Sequence, residues 1–340
     1  MAGGSGERFW PMSRKSRPKH LLKLFSDKTL LEETVRRLEG VVPMQNIFVL
    51  TNQAQLEISR EALSFLPSNQ VIAEPSKRDT APAAALATAI ARRGGEGSIL
   101  ALLPADALIK DVETFRRQFS MGIEYAAQSN ALVTFSITPS FPSTGFGYLE
   151  LGNEESHAIH RVTRFVEKPD LARAEQYIAS GHYGWNSGIF IWNVDSFLSE
   201  TKRLQPLLAQ FILDFPVSGN FQPYLEDHFG KLPKISIDYA VMEQAQKVCA
   251  IKAEFDWDDV GNWTALPKHL GADANGNTTR GRVEMIKSEK NIVFSSGRAI
   301  ALCGVSDLIV VETADAVLVC HKKNAQDIKN LLSQLPKELS

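Results

Sequence analysis

Three glycines, Gly3, Gly4 and Gly6, surround Ser5, and Arg8, Arg14, Lys15, Arg17 and Lys19 follow at once. Glycine lets the backbone turn at positive φ and approach a ligand closely. Successive N–H groups in such a turn form a concavity for an anion. The cations beside it supply charge, so the stretch has the parts of a phosphate cradle. It fits neither G-x-x-x-x-G-K-[ST] nor G-x-G-x-x-G. Two acidic features lie downstream. Asp106 follows the apolar run 98–103 after Pro104 and Ala105, and a carboxylate just past a buried strand is hard, anionic and rigidly placed, which suits Mg²⁺. Asp256, Asp258 and Asp259 crowd into four residues and would repel unless a cation or hydrogen-bond donors offset them. Spacing alone does not choose among these three.

The elements that position these residues read as α/β. Apolar residues at helical spacing predict helices over 29–38, 53–66, 82–93, 112–128 and 194–207. Short apolar runs predict strands at 46–51, 70–73, 98–103, 131–137, 161–167 and 248–255. The run at 98–103 is continuous, as in a strand buried on both faces. Strands alternating with helices up to residue 137 argue for parallel pairing with crossover helices. In doubly wound folds the phosphate loop follows a strand. Only Met1 and Ala2 precede the glycines, which predicts either a gap in the sheet with unpaired backbone groups or another segment in that slot. Weak periodicity over 207–233 reads as loops with short helices. Composition changes after residue 270, and regular short β-rich runs from 283 to 320 predict a small β-domain closed by an amphipathic helix over 322–335.

Bulk properties narrow the function classes. A chain of 340 residues with 44% hydrophobic and 22% charged residues is globular, and a net charge of −2 gives nothing global to attract nucleic acid or a membrane surface. No apolar run approaches the roughly 18 residues of a membrane span. Three cysteines without metal spacing suit buried thiols in a reducing cytoplasm.

The run A-G-G-S-G-E-R-F-W-P-M-S, followed by Arg17-Pro18-Lys19-His20, resembles the signature of the sugar-1-phosphate nucleotidyltransferases. With Phe9-Trp10-Pro11 and Pro18-Lys19 it takes the form seen in mannose-1-phosphate guanylyltransferases. Further motifs follow in family order: E-P-x-x-R-x-T-A-P at 74–82, P-x-D at 104–106, G-F-G-Y at 145–148, Glu167-Lys168-Pro169, Asn186-Ser187-Gly188, S-I-D-Y-A-x-M-E at 236–243 and Asp258-Asp259-Val260-Gly261. The resemblance implies a Rossmann-like (GT-A-like) nucleotidyltransferase domain over 1–270, with a mixed, mostly parallel sheet, and a small left-handed β-helix-like domain over 276–340.

It also implies roles. Gly3, Gly4, Ser5 and Gly6 wrap the nucleotide, with Arg78, Thr80 and Ala81 as further nucleotide contacts. Arg8 and Lys19 meet phosphates at the reacting centre. Gly147, Glu167 and Asn186 contact the sugar, and Lys168 the phosphate it carries. Asp106 and Asp259 hold Mg²⁺. No catalytic role falls to Asp238, which the sequence places in a first helical turn. The expected reaction joins GTP and mannose 1-phosphate to give GDP-mannose and pyrophosphate in the cytoplasm, and the terminal β-module is the candidate contact surface of a homodimer. Two other readings stay open: the same chemistry with glucose 1-phosphate and UTP or dTTP, and a non-catalytic nucleotide-sugar sensor.

Overall fold

A computed structural model describes residues 1–4 and 6–339. Its first eight strands are β1 (Val49–Asn52), β2 (Val71–Glu74), β3 (Ile99–Leu102), β4 (Leu132–Ile137), β5 (Tyr148–Ser156), β6 (Ile159–Val166), β7 (Tyr183–Asn193) and β8 (Val248–Lys252). Six of them form one sheet in the order β3-β7-β4-β8-β6-β5, while β1 and β2 form a separate parallel pair. The sheet is mixed. β3, β4, β5 and β8 run one way and β6 and β7 the other, so β4 and β8 are its adjacent parallel neighbours.

Side-chain alternation along these strands divides two apolar cores. Leu132, Phe190, Trp192, Val248 and Ala250 face one side, with the helices Thr80–Arg92, Val194–Leu204 and Pro206–Asp214. Val133, Phe135, Ile189, Ile191, Cys249 and Ile251 face the other, with Phe115 and Phe119 of the helix Val112–Gln128. Because successive strand residues point to opposite faces, a run that is apolar throughout can fill both cores, giving three layers.

The expected gap falls between β1 and β3. Ala2 donates to the Leu50 carbonyl (2.7 Å), Ala105 donates to the Met1 carbonyl (3.0 Å), and the Met1 ammonium donates to the Leu103 carbonyl (2.7 Å). These two residues bridge the β1–β2 pair to the larger sheet. The expectation that 98–103 is fully buried is corrected accordingly: Ile99, Leu100 and Ala101 are half-buried, since β3 has a ladder partner only on its β7 side.

The terminal module contains β9 (Thr278–Arg280), β10 (Val283–Ile286), β11 (Ile292–Ser295), β12 (Ile300–Cys303), β13 (Leu308–Glu312) and β14 (Val317–His321). β9, β11 and β13 stack in parallel and β14 closes the stack antiparallel, while β10 and β12 form a second parallel face. Thr278 lies beside Ile292, 14 residues on, and Ile292 beside Ile309, 17 on. Coils of these lengths leave no six-residue period to read. Their corner is a buried asparagine ladder: Asn291 Nδ2 donates to Asn277 Oδ1 (3.1 Å), and Leu308 N–H to Asn291 Oδ1 (2.9 Å). A third apolar cluster joins Phe9, Trp10 and Trp263 to Ile292, Phe294, Ile309 and Ile328, so the module shares a core with the glycine loop.

Candidate active site

A cleft of about 590 Å³ opens across the strand ends and is bordered by the glycine loop, the loop after β3, the turn before β5, the Glu167-Lys168 pair and the mouth of β7. The volume suits a small-molecule ligand.

The loop end is set by packing. Gly6 takes φ 59°, and a Cβ there would lie 2.3 Å from Lys19 Cβ and 2.5 Å from Lys19 N, so the turn rests directly on the backbone of Lys19. Phe9 and Trp10, fully buried and 4% exposed, anchor the turn Glu7–Phe9 in the third cluster. Between them and Gly6, Arg8 is left with little to hold: Nη1 reaches the Gly261 carbonyl at 3.5 Å, and Nε is buried without a partner.

Lys19 is buried at 6% exposure. Its ammonium donates to Asp106 Oδ2 (2.9 Å) and to the Asp259 carbonyl, and thereby joins the two acidic segments that sequence alone leaves apart. Asp106 opens to the cleft with 46% of its side chain exposed. Burial pushes its carboxyl up, but the charge and hydrogen bond of Lys19, with His20 and the Met1 ammonium, hold it below the ordinary value. Asp259 moves the other way. Burial, with Asp258 and Asp106 nearby, raises it to about 6 against the pull of Lys19 and Arg8.

The structure separates the three clustered aspartates by what satisfies them. Asp256 accepts the Lys110 and Asp111 N–H groups at 2.9 and 2.7 Å. Asp258 contacts His269 Nε2 (2.9 Å) and accepts from Lys268 Nζ (3.3 Å) and the Val260 N–H (2.8 Å). The Asp259 carboxylate has no hydrogen-bond donor among the described residues and faces the cleft. Val260, a β-branched residue, takes φ 46° to make this turn, and Lys168 takes φ 45° across the cleft; such strain gathers where the surrounding fold over-determines the backbone.

Asp106 and Asp259 are two hard oxygen donors with excess negative charge between them. They are too few for an all-protein cage and fit a divalent cation that keeps water and phosphate ligands. Among the described residues, no group of three metal-ligating side chains occurs.

At the other end, a Cβ on Gly147 would lie 2.6 Å from Glu167 Oε2, so glycine here lets the Glu167 carboxylate approach the backbone of this wall. Glu167 accepts from Lys168 Nζ. Asn186 accepts from Thr134 Oγ1 (3.0 Å) and donates through Nδ2 to Asp238 Oδ1 (3.1 Å). Tyr148 is fully buried and donates to the Ser143 carbonyl (2.9 Å), a supporting role only.

Of the expected site residues, Gly6, Arg8, Lys19, Thr80, Asp106, Gly147, Glu167, Lys168, Asn186 and Asp259 border this one cleft. Gly3 and Gly4 are exposed on the loop without bordering it, and Ser5 lies outside the described residues. Two placements differ from expectation. Ala81 is fully buried in the first core with its N–H on the Ile235 carbonyl (3.1 Å). Arg78 donates to the Gly230 carbonyl and Ser76 Oγ. Both are held by the segment after the helix Gln222–His228, and neither borders the cleft. Asp79, at φ 71°, caps the helix Thr80–Arg92, which frees the Thr80 hydroxyl to accept the Ile237 N–H (2.8 Å).

That bond fixes the start of a turn whose first residue, Asp238, carries no catalytic role in the sequence expectation. Asp238 borders the cleft at the start of the π-helical turn Asp238–Met242, and burial with neighbouring Glu167 raises its carboxyl to about 7. Its signal was the S-I-D-Y-A-x-M-E match. Phe146 and Trp257, 5.5 Å apart edge to face, form an aromatic wall, and Glu7 and Lys329 complete the border.

The Nucleotidyl transferase family model matches residues 1–275, and a MannoseP isomerase/GMP-like beta-helix domain matches 281–335. The chain is 38% identical to a mannose-1-phosphate guanylyltransferase of Klebsiella pneumoniae, over 98% of this chain and 73% of that one. It is 36% identical to the alginate biosynthesis protein AlgA of Pseudomonas aeruginosa, over 98% and 71%. The crystal structure of a Thermus thermophilus protein described as a mannose-1-phosphate geranyltransferase superposes with a TM-score of 0.90 at 36% identity, covering 98% of this chain and 97% of that one. Motif order, fold and similarity over nearly the whole of this chain therefore agree: the chain belongs to the nucleotidyl transferase family, among the mannose-1-phosphate guanylyltransferases.

Proposed function

We propose that the chain transfers GMP from GTP to mannose 1-phosphate, giving GDP-mannose and pyrophosphate. The observation that carries this reading is the Lys19 ammonium held between Asp106 and Asp259, with Arg8 nearly unpartnered beside it and a polar wall for hydroxyls opposite. A phosphate oxygen of the sugar phosphate attacks the α-phosphorus of GTP. The new P–O bond forms as the bond to the β-phosphate bridging oxygen breaks, and pyrophosphate leaves with that electron pair.

Little covalent chemistry falls to the protein, and positioning and electrostatics supply the rate. Lys19 steadies the attacking phosphate and Arg8 the departing pyrophosphate. The glycine loop, through Gly6 at the border of the cleft and the exposed Gly3 and Gly4 before it, takes the triphosphate. Thr80 lies on the nucleotide side. Lys168 meets the sugar phosphate, while Glu167 and Asn186 receive sugar hydroxyls and Gly147 leaves room for the ring. Asp106 and Asp259 would hold Mg²⁺, which when bound offsets charge on the nucleotide and sugar phosphates.

Cys249, Cys303 and Cys320 are free thiols, which suits the reducing cytoplasm where this reading places the chain, but only Cys249 is buried as expected; Cys320 is half-buried and Cys303 exposed. No described helix is long and apolar enough to cross a membrane. Exposed Ile286, Val317 and Val319 on the terminal module support it as a homodimer surface.

The test is pyrophosphate release from the purified chain with GTP, mannose 1-phosphate and Mg²⁺, omitting each in turn and substituting UTP, dTTP and ATP. Release that requires all three and prefers GTP is expected. Preference for another nucleotide keeps the chemistry and overturns the guanine assignment. Nucleotide binding without release in any mixture would mark a sensor.

A further inference from the structure

We propose that Lys329, carried by the terminal β-module, is a phosphate-binding residue of the catalytic cleft and holds the leaving half of the nucleoside triphosphate. The proposal rests on the nucleotidyl-transfer reading above and adds a residue that lies outside every motif of the catalytic domain.

Three observations converge on it. First, Lys329 borders the cleft together with Glu7, Arg8 and Phe9, although it lies more than 300 residues further along the chain. Secondly, its backbone is fixed. The single helical turn Ile328–Leu331 packs against the turn Glu7–Phe9, Ile328 is 1% exposed in the cluster that contains Phe9 and Trp263, and the Leu339 carbonyl further on accepts from Trp10 Nε1 (2.8 Å). A lysine on such a turn samples a small volume above the loop.

Thirdly, the other cations of the cleft are occupied. Lys19 is engaged by Asp106 and the Asp259 carbonyl, and Lys168 by Glu167. Arg8 has one long contact with a carbonyl. The Lys329 ammonium has no hydrogen bond or ion pair among the described residues. Among the described residues of the cleft, the two side-chain cations not already held by a carboxylate are thus Arg8 and Lys329, and both stand at the Glu7–Phe9 end.

Charge chemistry then assigns the ligand. When the α–β bond breaks, negative charge grows on the departing pyrophosphate. A lone guanidinium beside it offsets that charge only in part, and a mobile ammonium adds a second counter-charge without demanding one geometry. Glu7 borders the same end of the cleft but makes no ion pair with Lys329. Nucleotide binding therefore draws the module and the loop toward one ligand, so the β-module takes part in substrate capture as well as in scaffolding.

The experiment uses the full chain and three variants, Lys329→Ala, Lys329→Arg and, as a control on the same module, Lys323→Ala. Calorimetric titrations with inorganic pyrophosphate, GTP and GMP in Mg²⁺ accompany steady-state pyrophosphate release. In Lys329→Ala, pyrophosphate and GTP are expected to bind about tenfold more weakly, the scale of one charge-assisted hydrogen bond, with GMP affinity and KM for mannose 1-phosphate unchanged. Lys329→Arg recovers most of the loss, and Lys323→Ala shows none. Unchanged pyrophosphate affinity in Lys329→Ala, equal weakening of GMP and pyrophosphate, or no pyrophosphate binding by the native chain would each overturn the assignment. A native chain that binds pyrophosphate through Lys329 yet releases none from GTP and mannose 1-phosphate would keep this inference and refute the proposed reaction.

Discussion

Replacing Gly6 with alanine tests whether the phosphate loop works because it lies on the backbone of Lys19. Two costs add. Gly6 sits at φ 59°, in the left-handed region, where an L side chain costs about 1–2 kcal/mol. The added methyl would also lie 2.3 Å from Lys19 Cβ and 2.5 Å from Lys19 N. Non-bonded carbons rest at about 3.5–4.0 Å, so the loop and Lys19 must part by more than about 1 Å. No rotamer change relieves the contact, because the obstructing atoms are backbone and Cβ. A displacement of that size at a reacting centre costs about 10²-fold in rate. The assay is kcat/KM for pyrophosphate release, with a thermal midpoint on the same samples. Gly6→Ala should lose about 10²-fold in kcat/KM and melt several degrees lower, at about 2–4 °C per kcal/mol. Gly3→Ala and Gly4→Ala are the stability controls: nothing lies within 4 Å of either added methyl, so both should melt with the native chain. A Gly6→Ala protein with native midpoint and kcat/KM would show that the loop does not depend on this contact.

Asp106→Asn should lower kcat at least about 10²-fold while costing no more than about 1 kcal/mol of stability, because the side chain is 46% exposed to the cleft. Native kcat in that variant would remove Asp106 from the reacting centre. For Asp238, burial and then Glu167 raise the folded carboxyl to about 7 from 3.8. The folded state therefore binds the extra proton: the contribution is complete below the unfolded value and is lost as pH rises through about 7. Asp238→Asn, which can still accept from Asn186, should gain thermal stability relative to the native chain between pH 5 and pH 8. A difference in midpoint that stays constant over that range would refute the assignment. Trp10→Phe deletes the Nε1 bond to the Leu339 carbonyl and should cost about 1 kcal/mol and open the C-terminal residues to proteolysis; an unchanged cleavage rate would argue that the tie is idle.

Local chemistry explains what the sequence made legible. The helix Val112–Gln128 was readable to its bounds because Asp111 caps it and Phe115, Phe119 and Ala126 keep the helical period. The strand β4 was readable because its residues are buried on both faces. The strand β5 was not, since its outer half, through Glu154 and Ser156, is exposed and carries no alternation. The helix expected over 194–207 ends instead at Leu204, and Pro206 opens a new helix, Pro206–Asp214, inside the stretch whose weak period read as loops with short helices. The closing segment reads as one helix but breaks into the turns Lys322–Asp327, Ile328–Leu331 and Leu332–Gln334.

At the site, the motif residues were legible because glycine, lysine and aspartate at strand ends carry their own chemistry. Their separate partners were not. Nothing in a linear reading shows that Asp256 caps a backbone turn while Asp259 stays free, or that the Gly230 carbonyl holds Arg78. Lys329 had no local signal, because its role comes from the packing of Ile328 beneath the loop.

That shared packing bears on inheritance. The side chains that seat the loop, Phe9, Trp10 and Trp263, share one apolar cluster with Ile292, Phe294 and Ile309 of the coils and Ile328 of the closing helical turn. A recombinant that joined the first 275 residues to the coils of a distant relative would carry every catalytic motif intact and still mis-seat the loop. The two segments are thus expected to evolve as one inherited block, with changes beneath Phe9 answered by changes among the coil isoleucines.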